Sequence, residues 1–220
     1  MKKEIILTKD GSTSIFLPEL NETYHSKFGA IQEAKHVFIK NGLSLLNDKS
    51  ISILEIGFGT GLNAFITFLE AIKSNQHINY VGVEAFPVEL ELVENLNYVS
   101  ELQALEHQMI FKEIHDSNWE IENEISSNFK LTKREQKFQD ISDSNQYNLI
   151  YFDAFGFDVQ PELWNEEIFQ QMYNALLPKG ILVTYACRTS IKKAMLNAGF
   201  RVEKLPGAPG KREMLRAFKE

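Results

Sequence analysis

The sequence has a single cysteine and no long apolar segment. Cys187 alone cannot form an intrachain disulfide, and one thiolate cannot build a cysteine-based zinc site. The five histidines show no H-x-x-x-H spacing, so we predict no metal. Every apolar run is far shorter than the roughly 20 residues of a membrane span, and residues 1–10 lack the apolar core of a signal peptide. We therefore expect a cytoplasmic protein that has no membrane segment. The sequence leaves its oligomeric state open.

The sequence also lacks an excess of positive charge. Its formal net charge is −7, which disfavours generic nucleic-acid binding because phosphate contacts need clustered lysine and arginine. The cations are unevenly distributed, however, since residues 188–220 contain nine of them and only three acids. Two interpretations fit this segment equally well: a surface that meets an RNA backbone, or an ordinary solvated surface.

Residues 51–63 are the most informative segment, with the sequence Ile-Ser-Ile-Leu-Glu-Ile-Gly-Phe-Gly-Thr-Gly-Leu-Asn. The apolar run predicts a buried parallel strand, and the glycines predict a turn into a helix that begins near Leu62. Glycine suits a loop on which a nucleotide lies against bare backbone at a helix N-terminus. Gly57, Gly59 and Gly61 are spaced G-x-G-x-G, whereas dinucleotide-binding loops have G-x-G-x-x-G. A tight turn without a ligand is the alternative.

With Glu55 two residues ahead, the loop resembles motif I of S-adenosylmethionine-dependent methyltransferases. The resemblance implies S-adenosylmethionine as the cofactor, with the acid near its amino-acid portion and the glycines facing its ribose and methionine. We also expect Tyr24, together with His25, to close over the cofactor. The loop residues expected to bind the cofactor are Glu55, Gly57, Phe58, Gly59, Thr60, Gly61 and Asn63.

A second acid follows the next predicted strand, residues 80–84. Glu84 lies 23 residues beyond Gly61, where an acid accepts hydrogen bonds from the ribose hydroxyls of a nucleotide cofactor. A solvated carboxylate at a helix N-terminus is the alternative. Asp140 follows a strand predicted over residues 129–138; motif III of the methyltransferase fold carries an acid near the adenine there, and a loop carboxylate is its alternative.

The periodicity of the chain predicts an α/β fold. The last two predicted strands, 200–205 and 212–218, have no helix between them, so they pair antiparallel or leave the sheet. A mostly parallel sheet with a C-terminal antiparallel hairpin is the Rossmann-like arrangement of class I methyltransferases and disfavours a dehydrogenase. We expect one structural domain, in which residues 1–50 form an N-terminal extension that covers the cleft of the methyltransferase domain, 51–220.

Other elements were predicted from apolar spacing and turn residues. Residues 108–128 are expected to be irregular, with a turn at 115–119. The remaining predicted strands cover residues 3–8, 14–17, 147–153 and 181–186. The predicted helices cover residues 29–46, 87–97, 101–106, 166–177 and 189–198, and residues 178–180 form the turn before the strand at 181–186.

The chain as a whole resembles one family: the methyltransferase half of the bifunctional enzyme that completes 5-methylaminomethyl-2-thiouridine at the wobble position of bacterial tRNA, including its stand-alone forms (MnmC/MnmD type). The segments that carry the resemblance are Thr23-Tyr24-His25-Ser26, Gly29-Ala30, Glu33 to Phe38, Leu54 to Asn63, Phe152-Asp153-Ala154-Phe155, Pro161-Glu162-Leu163-Trp164 and Gly210-Lys211-Arg212-Glu213-Met214-Leu215. They extend from the N-terminal region almost to the end of the chain.

The resemblance implies methylation of the aminomethyl group of 5-aminomethyl-2-thiouridine in tRNA. Asp153 would be the catalytic aspartate, with a helix or turn cap as its alternative. Phe155 and Trp164 would supply a stacking surface for the wobble base, although core packing is an alternative for at least one of them. Lys211 and Arg212 would meet phosphate or stabilise the pocket. Residues 156–160 depart from the family pattern because they include no lysine or arginine.

Other function classes stay open. The chain is too short to hold the flavin-dependent oxidase half as well, so we expect a stand-alone methyltransferase. A methyltransferase for a small-molecule amine would share the cofactor site but would not need the cation-rich C-terminal segment. A non-catalytic nucleotide-binding module is disfavoured because the glycine loop and the aspartate at the strand end are both intact.

Overall fold

The computed structural model describes residues 2–220, which form a three-stranded sheet and an eight-stranded sheet. The strands are β1 Glu4–Leu7, β2 Thr13–Leu17, β3 Glu22–Thr23, β4 Ser50–Ile56, β5 His77–Glu84, β6 Glu122–Ser126, β7 Phe129–Glu135, β8 Tyr147–Phe152, β9 Leu176–Thr184, β10 Arg201–Pro206 and β11 Glu213–Phe218. The α-helices are α1 Ala30–Ala34, α2 Leu62–Ser74, α3 Leu90–Val93, α4 Tyr98–Glu101, α5 Gln108–Asp116, α6 Glu166–Ala175 and α7 Thr189–Asn197.

The large sheet has the strand order β10-β11-β9-β8-β4-β5-β7-β6. The five central strands, from β9 to β7 in this order, run parallel. Strand β11 pairs antiparallel with β9 and with β10, as the missing crossover predicts. The Rossmann-like fold with a C-terminal antiparallel hairpin is therefore confirmed.

The central strands are buried on both faces, which explains their continuous apolar sequences. In β4, the alternating side chains enter two different cores: Ile53 packs toward α2 and α5, and Leu54 packs toward α6 and α7. Both side chains are fully buried. No helix within residues 2–220 is long and apolar enough to cross a membrane.

The strand order reverses its direction between β4 and β8. The chain leaves β4 through α2 toward β5 on one side, while β8 lies on the other side of β4. Ligands of open α/β sheets bind in the crevice that such a reversal creates at the carboxyl ends of the strands. The glycine loop follows β4 and Asp153 follows β8, so the topology brings both predicted motifs to this crevice.

The N-terminal extension is fixed to the rest of the chain by side-chain hydrogen bonds. Asn97 Oδ1 accepts from the backbone N–H of Thr13 at 2.7 Å, and Asn97 Nδ2 donates to the Gly11 carbonyl at 2.8 Å. Helix α1 leads directly into a π-helical segment, Lys35–Lys40, and the helix predicted over residues 29–46 ends there. Asn41 Nδ2 donates to the His36 carbonyl at 2.7 Å and so satisfies a backbone carbonyl near the end of the helix.

The helix predicted over residues 87–97 is reduced to the single turn α3, and the helix predicted over 101–106 is replaced by α4 and a 3-10 turn, Leu105–His107. Asn95 and Asn97 explain the early end of α3. Asn95 Nδ2 donates to the Glu91 carbonyl at 2.7 Å, and Asn97 is engaged with the N-terminal sheet instead of continuing a helix.

The prediction of irregular structure over residues 108–128 was wrong, because this segment forms α5 and β6. Phe111 and Ile114, three residues apart, are the buried face of α5. Strand β6 is a short edge strand in which only Ile125 is fully buried, so it has little apolar signal. The turn predicted at residues 178–180 lies inside β9 instead, where a bulge separates the pairs Tyr147–Leu176 and Leu149–Ile181.

Candidate active site

A cavity of about 530 Å³ opens at the carboxyl ends of β4, β5 and β8. Eleven residues predicted from the sequence line it: Tyr24, His25, Gly57, Phe58, Gly59, Thr60, Asn63, Glu84, Asp153, Phe155 and Lys211. Five others do not line it: Glu55, Gly61, Asp140, Trp164 and Arg212. The lining carries five carboxylates and two lysines, namely Glu22, Glu33, Glu84, Asp153, Glu162, Lys137 and Lys211. This acid-rich surface favours a cationic ligand.

The glycine loop is held by backbone contacts at the end of β5. The N–H groups of Gly57 and Phe58 both donate to the Val83 carbonyl, at 3.0 and 3.1 Å. Gly57 has φ of 90°, and a Cβ there would lie 2.6 Å from the carbonyl oxygen of Asp153. The close approach of β4 and β8 therefore requires glycine at position 57.

Glu84 is joined to the glycine loop. Its Oε2 accepts from the Gly59 N–H at 3.0 Å, and its Oε1 accepts from the Phe86 N–H at 3.0 Å. Burial raises the pKa of Glu84, while these backbone donors act in the opposite direction. A carboxylate oxygen can accept more than one hydrogen bond, so Glu84 retains acceptor sites toward the cavity.

Asn63, in the first turn of α2, bridges two buried acids. Its Nδ2 donates to Glu55 Oε1 at 2.8 Å and to Asp153 Oδ2 at 2.9 Å. Glu55 also accepts from the Tyr80 hydroxyl at 2.9 Å, and burial raises the pKa of Glu55 well above its ordinary value. Glu55 therefore lies beneath Asn63 and not at the cavity surface. The buried Oδ1 of Asn63 has no hydrogen-bond partner within residues 2–220 and can accept from a ligand.

Asp153 is the cavity-lining acid that follows β8. Burial is the main cause that raises its pKa to about 7, and the negative charge of Glu33 adds to this effect. The hydrogen bond from Asn63 and the positive charge of Lys211 lower the pKa of Asp153. A carboxyl group whose pKa lies near neutral pH can both accept and release a proton under physiological conditions.

Three hydrogen bonds fix the backbone from Asp153 to Phe155. The Asp153 N–H donates to the Ile56 carbonyl at 2.9 Å, and the Tyr185 hydroxyl donates to the Ala154 carbonyl at 2.8 Å. Trp164 Nε1 donates to the Phe155 carbonyl at 2.8 Å. The Trp164 side chain is buried against Phe152, with ring centroids 5.0 Å apart, and does not line the cavity. Its position corresponds to the core-packing alternative, whereas Phe155 faces the cavity.

Tyr24 and His25 bring the N-terminal extension onto the glycine loop. A Cβ at Gly59 would lie 3.2 Å from Tyr24 Cδ1, and the Tyr24 ring meets the Phe155 ring edge-on at 5.1 Å. Nδ1 of His25 hydrogen-bonds Ser14 Oγ at 3.1 Å. Burial lowers the pKa of His25 to about 4, and the positive charge of Lys211 adds to this effect, so the imidazole is neutral at pH 7.

Glu33 and Tyr185 are site residues that the sequence interpretation did not assign. Glu33 is almost fully buried; one of its oxygens accepts from the Ser26 N–H at 3.0 Å and the other pairs with Lys211 Nζ. The Lys211 ammonium lies 3.7 Å from the centroid of the Tyr185 ring. A usable signal existed for Glu33, because it falls on the apolar face of α1 beside Ala30 and Ala34, where a charge is unusual.

Asp140 does not face the cavity. It ends a 3-10 turn, Phe138–Asp140, in which Phe138 and Gln139 line the cavity while Asp140 is exposed. The adenine contact predicted for Asp140 therefore has no support from its position. Phe86, two residues after Glu84, also lines the cavity and is 72% exposed, so it offers an apolar face to a ligand.

The cation-rich C-terminal segment is largely neutralised. Five of its nine cations form ion pairs: Arg188, Arg201, Lys204, Lys211 and Arg216. Arg212 is exposed and forms no ion pair with residues 2–220. The segment is therefore not one continuous basic surface, although Arg212 extends from the loop that carries Lys211.

Comparison with known proteins identifies relatives of this chain. A family model described as S-adenosyl-L-methionine-dependent methyltransferase matches residues 98–220. The tRNA 5-methylaminomethyl-2-thiouridine biosynthesis bifunctional protein MnmC of Leptospira interrogans is 27% identical over 216 residues, which cover 90% of this chain and 32% of that protein. Its counterpart in Delftia acidovorans is 27% identical, covering 99% of this chain and 35% of that protein. The chain thus spans about a third of the length of these relatives.

Solved structures agree on the fold. The crystal structure of MNMC2 from Aquifex aeolicus superimposes with a TM-score of 0.78 at 24% identity, covering 98% of this chain and 70% of that one. Spermidine synthase from Thermotoga maritima superimposes with a TM-score of 0.53 at 13% identity, covering all of this chain and 72% of that one. The family model covers more than half of the chain, including β8 and Asp153 but not β4 or β5. The chain belongs to the S-adenosyl-L-methionine-dependent methyltransferase family.

Proposed function

We propose that this enzyme methylates the aminomethyl group of 5-aminomethyl-2-thiouridine at the wobble position of tRNA and so produces 5-methylaminomethyl-2-thiouridine. One observation carries the proposal: Asp153 lies at the end of β8 beside the glycine loop, and its pKa of about 7 suits the removal of a proton from an amine. The names of the bifunctional relatives supply the substrate, and the chain aligns with them over 90% or more of its length.

The residues of the cavity fit S-adenosylmethionine. Gly57 and Gly59 leave bare backbone at the start of α2, and Glu84 keeps acceptor sites for the two ribose hydroxyls. The unpartnered Oδ1 of Asn63 can accept from the cofactor's ammonium group. The acidic lining also suits a ligand that carries a sulfonium and an ammonium. By position, Phe86, Phe138 and Gln139 are better candidates for the adenine contact than Asp140.

The chain has to deliver an amine with a free lone pair. An alkylammonium cannot attack, so the Asp153 carboxylate accepts its proton and then hydrogen-bonds the neutral amine. Asn63 and the backbone hydrogen bonds around Ala154 hold the carboxylate in place, which limits the freedom of the reacting groups. When bound, S-adenosylmethionine supplies the methyl group: the new N–C bond forms as the C–S bond breaks, and the electron pair of that bond stays on sulfur.

The N-terminal extension and an aromatic side chain form the wall on the substrate side. We propose that residues 1–50 cover the cleft of the methyltransferase domain, 51–220; the cavity-lining positions of Tyr24, His25, Ser26 and Glu33 support this division. Phe155 is the candidate for stacking on the wobble base, since it faces the cavity and Trp164 does not. A tRNA substrate would place the enzyme in the cytoplasm.

The test is transfer of a radiolabelled methyl group from S-adenosylmethionine to three acceptors: tRNA carrying the aminomethyl-uridine, the same tRNA without that group, and free alkylamines. We expect labelling of the first tRNA only, with 5-methylaminomethyl-2-thiouridine as the labelled nucleoside. Labelling of the unmodified tRNA would identify a different reaction, and labelling of free amines alone would favour a small-molecule methyltransferase.

A further inference from the structure

An ion pair lies in the wall of the cavity near Asp153. Its two members come from distant parts of the chain: Glu33 lies in α1, and Lys211 lies in the loop between β10 and β11. Only 10% of the Glu33 side chain and 29% of the Lys211 side chain are exposed, and both residues line the cavity. An ion pair this deep in a ligand cavity costs desolvation free energy, so it needs an explanation beyond surface solubility.

The pair is connected to the catalytic backbone through Tyr185. The Lys211 ammonium lies over the Tyr185 ring at 3.7 Å, and the Tyr185 hydroxyl donates to the carbonyl of Ala154, which adjoins Asp153. On the other side, Glu33 accepts from the Ser26 N–H and thereby fixes the segment that includes Tyr24 and His25. The ion pair thus links the N-terminal wall of the cavity to the strand end that carries the reacting acid.

Glu33 and Lys211 act on Asp153 with opposite signs. The carboxylate of Glu33 favours the protonated form of Asp153, and the ammonium of Lys211 favours its ionised form. The other groups that bear on Asp153 or on this pair are the acids Glu55 and Glu22, the phenols Tyr80 and Tyr185, and the neutral His25. None of these other groups is a cation, so Lys211 is the one positive charge in this set.

We propose that Glu33 and Lys211 are positioning residues of the methyl-transfer reaction, which as an oppositely charged pair keep the Asp153 carboxylate in the charge state and orientation that the acceptor amine requires. This inference rests on the proposed function for the identity of the amine. The effect of the two charges on Asp153 does not depend on which amine is methylated. Neither residue needs to touch the substrate, because each acts through Asp153 or through the Tyr185 contact that holds its backbone.

The decisive experiment is a carbon-13 NMR titration of the Asp153 carboxyl group in the whole protein, without substrate. In Glu33→Gln we expect the pKa of Asp153 to fall by about one pH unit, because a negative neighbour is lost. In Lys211→Met we expect it to rise by a similar amount, because a positive neighbour is lost. Lys211→Arg, which keeps the charge, should leave the value close to that of the wild type.

A double variant and a control pair sharpen the test. Glu33→Gln combined with Lys211→Met should return the pKa of Asp153 close to the wild-type value, because both charges are removed. The i,i+3 pair Glu70–Lys73 on α2 does not line the cavity and offers the control, so Glu70→Gln or Lys73→Met should leave the pKa of Asp153 unchanged. If Glu33→Gln does not fold, the comparison of Lys211→Met with Lys211→Arg carries the test.

Two outcomes would overturn the inference: no change in either single variant, or a change in the same direction in both. A purely structural clamp predicts the latter, since loss of either partner would loosen the site in the same way. With the tRNA acceptor, the acidic limb of the pH profile of kcat/KM should move in the same directions as the NMR values. A separate outcome is that the wild-type protein fails to methylate the tRNA while the two variants still shift the pKa of Asp153 in opposite directions. That result would support the effect of Glu33 and Lys211 on Asp153 and would show that the proposed tRNA substrate is wrong.

Discussion

Asn63 Nδ2 donates a hydrogen bond to Asp153 Oδ2 at 2.9 Å, joining the first turn of α2 to the end of β8. The residue that follows the glycine loop therefore orients the acid that follows the fourth parallel strand in chain order. This contact couples the segment that contains the glycine loop to the carboxylate that we propose as catalytic. Asn63 would consequently contribute to positioning both the bound cofactor and the acceptor amine.

Asp153→Asn should lower methyl transfer by roughly 100-fold or more, the scale for a positioned proton acceptor. The amide cannot take the proton of the ammonium, although it is nearly isosteric with the carboxyl group. We expect the fold and most of the cofactor affinity to survive. Radiolabelled methyl transfer and calorimetry with S-adenosylmethionine check the two halves of this prediction, and a fully active variant would remove Asp153 from the chemistry.

The same substitution should change how stability depends on pH. The pKa of Asp153 is raised from its ordinary value of 3.8 to about 7 in the folded protein, so the folded state holds this proton more tightly than the unfolded chain. The resulting stabilisation is present below about pH 4 and is lost as the pH rises through about 7. Urea unfolding at pH 4.5, 6 and 7.5 should therefore show that the free energy of unfolding falls less with rising pH in Asp153→Asn than in the wild type. Parallel pH dependences in the two proteins would contradict the raised pKa.

Glu84→Ala should weaken S-adenosylmethionine binding by about 1.5–3 kcal/mol, the range for hydrogen bonds to a charged group. The loss has two sources, since Glu84 faces the cavity and also accepts from the Gly59 N–H. Glu84→Gln keeps one acceptor oxygen and should lose less. Glu89→Ala, which removes an exposed acid paired with Lys3, is the matched control for calorimetry. Equal affinities across the series would exclude Glu84 from the cofactor site.

Gly59→Val should abolish cofactor binding. Gly59 has φ of 49°, which a β-branched residue rarely adopts, and a Cβ there would lie 3.2 Å from the Tyr24 ring. Calorimetry should detect S-adenosylmethionine with the wild type only and NAD with neither protein. Circular dichroism separates a local effect from unfolding. Micromolar affinity for NAD in the wild type would contradict the interpretation of the glycine spacing.

Local sequence patterns were sufficient to predict those site residues that lie at the end of a strand. Gly57 and Asp153 each follow a strongly apolar strand and Glu84 ends one, so their positions along the chain determine their positions in space. Glu33 was missed because its partner Lys211 is distant in sequence and only tertiary folding brings them together. Trp164 lies close to the site in sequence, but its side chain packs into the core, and periodicity in a 3-10 turn does not determine that direction.

Arg212, the residue after Lys211, offers a test of the proposed tRNA contact. Arg212 is exposed beside a cavity-lining residue and forms no ion pair with residues 2–220, so its guanidinium can meet a phosphate. Arg212→Ala should raise KM for tRNA, leave S-adenosylmethionine affinity unchanged, and reduce the slope of log affinity against log salt by about one. Lys204→Ala is the control, because Lys204 already pairs with Glu213 and should contribute little. Equal salt slopes for wild type and Arg212→Ala would show that the tRNA backbone does not contact this loop.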